Sequence, residues 1–302
     1  MEQETIDNTG CPDGSGTPEK NEAQNKSPKK NEFLIRTLTG ASVTLVCAAV
    51  LCLSGYPYVL RTAVAVLCVI GVYELLNIVS SARPAYVIGF GIITACAQFL
   101  PLGNYLYLIS VLLIAAQIIF VYMMVRAGTY KFTKIYHVFP FILLFAVFAR
   151  SACELRDAAH GLYLLVMIFV ATELNDIFAY IVGSRIGRHR FAPKISPSKT
   201  VEGTVGGLVC SLTVVLLIAA FIGKKGGIKV QLPWLALWLF AAGIEGQFGD
   251  LAFSSIKRAA GAKDFGTLLP GHGGLLDRFD SLLFSLPTFY ILTAVFPQHL
   301  FK

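Results

Sequence analysis

The sequence predicts an all-α polytopic integral membrane protein, with about nine transmembrane helices and a cytoplasmic-side active-site cluster. Three observations predict it. Of the 302 residues, 55% are hydrophobic and only 14% charged, where a soluble domain carries about a quarter charged. Apolar stretches approaching or exceeding the roughly 20 residues that span a bilayer follow one another from residue 35 onward. Finally, backbone groups in lipid must be paired within their own segment, which favours helices.

Taken in order, residues 1–32 form a polar tail rich in Gly, Pro, Asn and Lys with no apolar periodicity. Such a segment cannot bury enough surface to offset its ordering entropy, so it is expected to be disordered, and no apolar core marks it as a signal peptide. Spans are expected near 35–55, 57–80, 85–103, 105–125, 132–150, 160–183, 203–223, 233–253 and 277–297. Residues 33–170 carry generic spans. Residues 171–302 carry the chemistry. The seven cysteines, Cys11, Cys47, Cys52, Cys68, Cys96, Cys153 and Cys210, are scattered without CxxC spacing and read as small hydrophobes.

Lys and Arg orient the chain. With the N-terminus inside, the inner segments hold the five basic residues through Arg36, then Arg83, then Arg126, Lys131 and Lys134. They also hold the five from Arg185 to Lys199, and Lys257, Arg258, Lys263 and Arg278, which makes eighteen of the 25. The positive-inside rule therefore puts the N-terminus and both late charged loops in the cytoplasm. The net charge of +7 reads as topology, not as a nucleic-acid surface.

Chemistry concentrates in three places. In "ELNDIFAYIVGSRIGRHRFAPKISPSKTVEGTVGG" (173–207), Asn175 and Asp176 lie inside a span, where acids usually mark a site. Ala179, Gly183 and Gly187 form a small-residue stripe suited to close helix packing. Ser196, Ser198, Lys199 and Thr200 could donate to phosphate oxygens, beside Glu202 and a helix starting near Thr200. An ordinary cap on a topogenic loop is the alternative. In "EGQFGDLAFSSIKR" (245–258), Asp250, Ser254, Lys257 and Arg258 fall near one helix face. That set resembles a metal–phosphate channel, or an internal salt bridge from Asp250. In "KDFGTLLPGHGGLLDRFD" (263–280), Lys263, Asp264, His272, Asp277, Arg278 and Asp280 gather at the edge of an apolar helix. Asp277 and Asp280 share a side, and hard cations such as Mg²⁺ take carboxylate oxygens and bridge to phosphates. Gly271, Gly273 and Gly274 let the backbone approach a bulky anion. His272 lacks partners at zinc spacing and reads as a phosphate donor or a loop anchor.

From Ser254 to Asp280 the chain reads S-x-I-K-R-x4-K-D-x-G-x2-L-P-x-H-G-G-L-x-D-R-F-D, which resembles the signature of the phosphatidate cytidylyltransferase (CDP-diacylglycerol synthase) family. "NDIFAY" and "SPSKTVEGTVGG" upstream are also similar to that family, the former in its eukaryotic version, and Val201 stands where an aromatic is frequent. The resemblance implies transfer of CMP from CTP to phosphatidate at the bilayer, giving CDP-diacylglycerol and pyrophosphate in phospholipid biosynthesis. It implies Mg²⁺ and a second cation such as K⁺. It also implies a bacterial inner membrane, or an endoplasmic reticulum or organelle membrane if the source is eukaryotic, and it leaves a homodimer open.

On that resemblance the candidate catalytic residues are Asp250, Asp277, Lys257, Arg258, Lys263, His272 and Arg278. Substrate binding falls to Asn175, Asp176, Ser196, Lys199, Thr200, Glu202, Asp264, Gly273 and Gly274, and metal binding to Asp250, Ser254, Asp277 and Asp280. A transporter for an anionic substrate would also carry intramembrane acids. A CDP-alcohol phosphotransferase is the nearer rival, but the Asp-Gly-x2-Ala-Arg and Asp-x3-Asp patterns of that family do not occur.

Overall fold

The computed structural model describes residues 28–56, 58–79, 139–193 and 195–301. The spans expected at 85–103 and 105–125 lie outside these, as do most of the tail, Arg83, the 126–134 loop, Cys11 and Cys96. Within them the chain forms seven α-helices: α1 (Pro28–Leu53), α2 (Val59–Val79), α3 (Phe139–Asp157), α4 (Gly161–Ile186), α5 (Val201–Gly226), α6 (Leu232–Ala259) and α7 (Leu276–Val295). Val59–Ile78, Gly161–Ile186 and Val201–Gly226 are long and apolar enough to cross a membrane. On α5, Val209, Leu217 and Phe221 are exposed, and a surface of that kind is suited to hydrocarbon rather than water. The chain is an all-α membrane protein.

One feature departs from the expected loop. Between α4 and α5 lies an antiparallel hairpin, β1 (Arg190–Ala192) with β2 (Ser196–Thr200), pairing Arg190 with Thr200 and Ala192 with Ser196. Its strands are short and basic, so no apolar alternation announces them. Helix α3 also runs further than expected, ending at Asp157. Arg150 and Glu154 form an ion pair one helical turn apart, so the helix carries its charges past the apolar run instead of stopping before them.

Among the described helices, α7 is enclosed by four others. Its buried residues point in every direction, including Phe279, Leu283, Phe284, Leu286 and Phe289, as expected of a helix enclosed on all sides. It packs on α2, α3, α4 and α6. Two seams bring helices close. Along the first, a Cβ on Gly207 would lie 2.8 Å from Ala179 Cβ, and one on Gly203 would lie 2.7 Å from Ala179 O. The small-residue stripe of α4 is therefore the packing face for α5. Along the second, a Cβ on Gly249 would lie 2.7 Å from the Phe284 ring and 3.0 Å from Asp280 O. This approach of α6 to α7 sets Asp250 beside Asp280.

The two ends of the bundle differ. At one end the α1–α2 and α3–α4 turns meet through Arg61–Asp157 (2.9 Å) and Arg156 Nε donating to Ser54 Oγ (2.7 Å). At the other the hairpin meets the C-terminal half of α6, which leads into the 260–275 loop: Lys199 pairs with Asp250, and Arg258 Nε donates to Ile195 O (3.4 Å). The two late charged loops thus share one end. Among the described cysteines Cys68 and Cys153 are buried, Cys47 and Cys210 partly so, and Cys52 is exposed.

Candidate active site

Local sequence puts each polar group in place. Asp250 and Ser254 are one turn apart on α6, and Ser254 Oγ donates to Asp250 Oδ1 (3.1 Å). The other oxygen of Asp250 pairs with Lys199 at the end of β2. One turn further on α6, Lys257 is 8% exposed. Its ammonium lies 2.7 Å from Asp277 Oδ1 and 3.9 Å from Asp280 Oδ2, and 5.1 Å from the centre of the Phe265 ring. Asp277 and Asp280 do face one side, as their spacing requires. Asp280 Oδ1 accepts from its neighbour's amide, Ser281 N (2.8 Å). Ser281 Oγ reaches Asp176 Oδ2 on α4 (3.5 Å).

Asp277 also organises the loop before it. Its Oδ2 accepts from Phe265 N (2.8 Å) and Gly274 N (2.9 Å), while Oδ1 takes Lys257. One carboxylate therefore fixes both ends of the 265–274 loop and the lysine. Gly271 (φ 76°) and Gly273 (φ 84°) hold left-handed backbone, which side chains other than Gly disfavour. A Cβ on Gly273 would lie 3.0 Å from Asp277 Oδ2.

The upstream residues divide. Thr200 caps α5, its Oγ1 accepting from Gly203 N (3.1 Å). Glu202 accepts from Arg188 N (3.0 Å), His189 N (3.2 Å) and His189 Nδ1 (2.6 Å), so its carboxylate ties the first turn of α5 to the α4–β1 junction. Asn175 is buried and accepts from Gln247 Nε2 (3.4 Å), which also donates to Thr204 O (3.1 Å). This link joins α4, α5 and α6. Ser196 is half-buried at the start of β2. Lys263, Asp264 and Arg278 are exposed around the cluster, and Arg258 turns to backbone carbonyls of Ile195 and Ala262. His272 donates its amide to Leu269 O (2.9 Å), and its buried Nδ1 lacks a partner. The residues that sequence spacing overlooked are Gln247, Ser281 and Glu74. Their partners come from other helices, and only the rarity of an acid inside a span such as α2 marks Glu74.

Four carboxylates, Asp176, Asp250, Asp277 and Asp280, are opposed at short range by two ammonium groups, Lys199 and Lys257. Among the described residues no three His, Cys, Asp or Glu side chains already converge on one point, and the lysines lie between the acids. The excess of acid side chains over ammonium groups and the all-oxygen donors fit a hard divalent cation. A thiolate- or imidazole-loving metal finds no such donors here.

A model of the cytidylyltransferase family matches residues 34–296. A phosphatidate cytidylyltransferase of Staphylococcus saprophyticus is 45% identical over 139 residues, covering 44% of this chain and 50% of that protein. Those of Staphylococcus haemolyticus (46% over 133 residues, 44% and 49% covered) and Staphylococcus aureus (45% over 135 residues, 44% and 50%) are similar. The chain spans about half the length of the curated relatives it matches. With the match running from α1 to the end of α7 and the acid–lysine cluster inside it, the chain belongs to the cytidylyltransferase family.

Proposed function

We propose that this protein is a phosphatidate cytidylyltransferase, which joins CTP and phosphatidate to give CDP-diacylglycerol and pyrophosphate. The observation that carries the reading is the pairing of Lys199 with Asp250 and of Lys257 with Asp277 and Asp280, at the end of a lipid-suited bundle. Phosphate-binding cations and metal-binding acids are there held together where a membrane lipid and a soluble nucleotide can meet.

A phosphate oxygen of phosphatidate attacks the α-phosphorus of CTP. The new P–O bond forms as the bond to the α–β bridging oxygen breaks, and pyrophosphate leaves with that electron pair. The substrate is its own nucleophile, so the protein's work is alignment and charge stabilisation. Lys199 and Lys257, held by carboxylates, are placed to exchange those partners for phosphate oxygens. Arg258, Lys263 and Arg278 add exposed positive charge, and His272 supports the loop. Asp250 and Asp280, with Ser254 and Asp277, would hold Mg²⁺, and a second cation such as K⁺ belongs to the same proposal. Bound there, the metal would supply a positive charge against the phosphate oxygens. Asn175, Asp176, Ser196, Thr200, Glu202, Asp264, Gly273 and Gly274 shape the substrate side.

The reading keeps about nine spans, an inward N-terminus and a cytoplasmic site. It places the protein in a bacterial inner membrane, in keeping with its staphylococcal relatives. Residues 171–302 supply most of the chemistry. The test is incubation of purified protein with CTP, Mg²⁺ and phosphatidate, with CDP-diacylglycerol followed by mass spectrometry and pyrophosphate by release assay. Stoichiometric appearance of both is expected. Absence of both in a well-inserted preparation overturns the reading and leaves a transporter as the better account. For topology, single cysteines placed in 184–202 and 257–277 should resist an impermeant reagent applied to intact cells, and labelling there reverses the orientation.

A further inference from the structure

We propose that Glu74, on α2 and far from the signature in sequence, is a positioning residue that holds the loop and the first turn of α7 in register for the active site. The inference rests on the cytidylyltransferase reading above. Glu74 is 4% exposed. Its two oxygens accept from Leu275 N (3.0 Å, Oε1) and Leu276 N (2.8 Å, Oε2). These are amides at the start of α7, where a helix has free N–H groups and the positive end of its dipole. The residue at the N-cap position, Leu275, offers no side-chain cap. Glu74 therefore supplies the cap from another helix.

Two signature glycines make room for it. A Cβ on Gly266 would lie 2.7 Å from Glu74 Oε1, and one on Gly274 would lie 2.6 Å from Oε2. Gly266 and Gly274 are thus required by the carboxylate as much as by any phosphate. The adjoining donors complete the chain of contacts. Gly274 N goes to Asp277, the next two amides go to Glu74, and Asp277 holds Lys257. Loss of Glu74 frees Leu275 and Leu276, and with them the backbone that aims Asp277 at Lys257.

The experiment compares full-length wild type with Glu74→Gln, Gly266→Ala, Lys257→Met and the double variant Glu74→Gln/Lys257→Met. Two measurements are made, hydrogen exchange over residues 265–280 and kcat with KM for CTP. Glu74→Gln keeps the volume and one acceptor but loses the charge. It is expected to speed exchange at Leu275 and Leu276 and to lower kcat roughly 10- to 100-fold, the size of a lost charge-assisted hydrogen bond. Gly266→Ala, which leaves Glu74 intact but invades its oxygen, is expected to reproduce both effects. If Glu74 acts through the Asp277–Lys257 pair, the double variant is no slower than Lys257→Met alone. A purely structural role would multiply the two losses and overturn the inference, as would unchanged exchange and kcat in Glu74→Gln and Gly266→Ala. Wild-type protein that makes no CDP-diacylglycerol overturns the functional reading and the inference with it. Wild-type protein that makes it while Glu74→Gln matches its rate and exchange overturns the inference alone.

Discussion

The two ends of the bundle carry the same kinds of side chain and use them differently. At the α1–α2 and α3–α4 turns, Arg61 and Asp157 pair with side chains 35% and 60% exposed, and Arg150 pairs with Glu154 within one helix. Acids and bases there roughly balance, and the Arg61–Asp157 pair is shallow. At the hairpin end, Lys257 and Asp277 pair with side chains only 10% and 3% exposed, acids outnumber the lysines that reach them, and the partners come from β2, α6 and α7. Exposed pairs contribute little to stability. Buried pairs are expensive to assemble and damaging to break, so a cluster that is both buried and unbalanced is poorly explained by stability alone. That contrast, rather than the presence of charge, distinguishes a site from a rim.

The comparison can be broken most sharply at Asp250 and Asp280. Asp250→Asn and Asp280→Asn are each expected to lower CDP-diacylglycerol formation about a thousandfold, or roughly 4 kcal/mol, with the Mg²⁺ midpoint moved upward. A Mg²⁺ titration beside wild type checks this, and near-normal rates would remove the metal assignment. Asp277→Asn belongs to the same series. If it only organises its loop, its Mg²⁺ midpoint stays at the wild-type value. Next in size, Lys257→Ala leaves Asp277 and Asp280 buried without their cation. Unfolding in detergent should show a loss of about 3 kcal/mol, larger than for any single substitution at the opposite end. Third, Gly207→Val drives a side chain into Ala179 across the α4–α5 seam and should cost about 2 kcal/mol, read by the same unfolding measurement. A silent result would show that the seam is loose. The smallest effect is expected at the other end. Arg61→Ala should change stability by at most about 1 kcal/mol and leave turnover intact. A large loss of turnover there would erase the distinction between the ends.

Long apolar runs made α2, α4, α5 and the centres of α6 and α7 legible, because a span declares itself by length and composition without reference to its neighbours. Boundaries were less legible where charge stays on a helix. Arg150 and Glu154 read as the end of a span but continue α3 to Asp157, and α6 runs on to Ala259 because Lys257 is received by acids of α7. In the site, periodicity alone joined Asp250 to Ser254 and set Asp277 and Asp280 on one side, and both relations appear in the structure. Pairings across elements were not legible. Nothing in the sequence says that Lys199 meets Asp250, or that Glu202 turns to the α4–β1 junction instead of outward. Glu74 was the least visible, since its partners are backbone amides, which every residue but proline possesses.

The cap on α7 also has a consequence in time. Glu74 and the amide of Leu275 are separated by 201 residues. At elongation rates of about 5–20 residues per second, the ribosome needs on the order of 10–40 s to make the partner after the acid has been made. During that interval α2 must sit in the membrane with a carboxylate that has nothing to cap. Its place in the last turns of α2, near the helix end, lets it stay within reach of water until α7 arrives. Insertion of α7 is therefore expected to draw Glu74 inward, and nascent chains stalled before residue 275 should keep that carboxylate open to solvent.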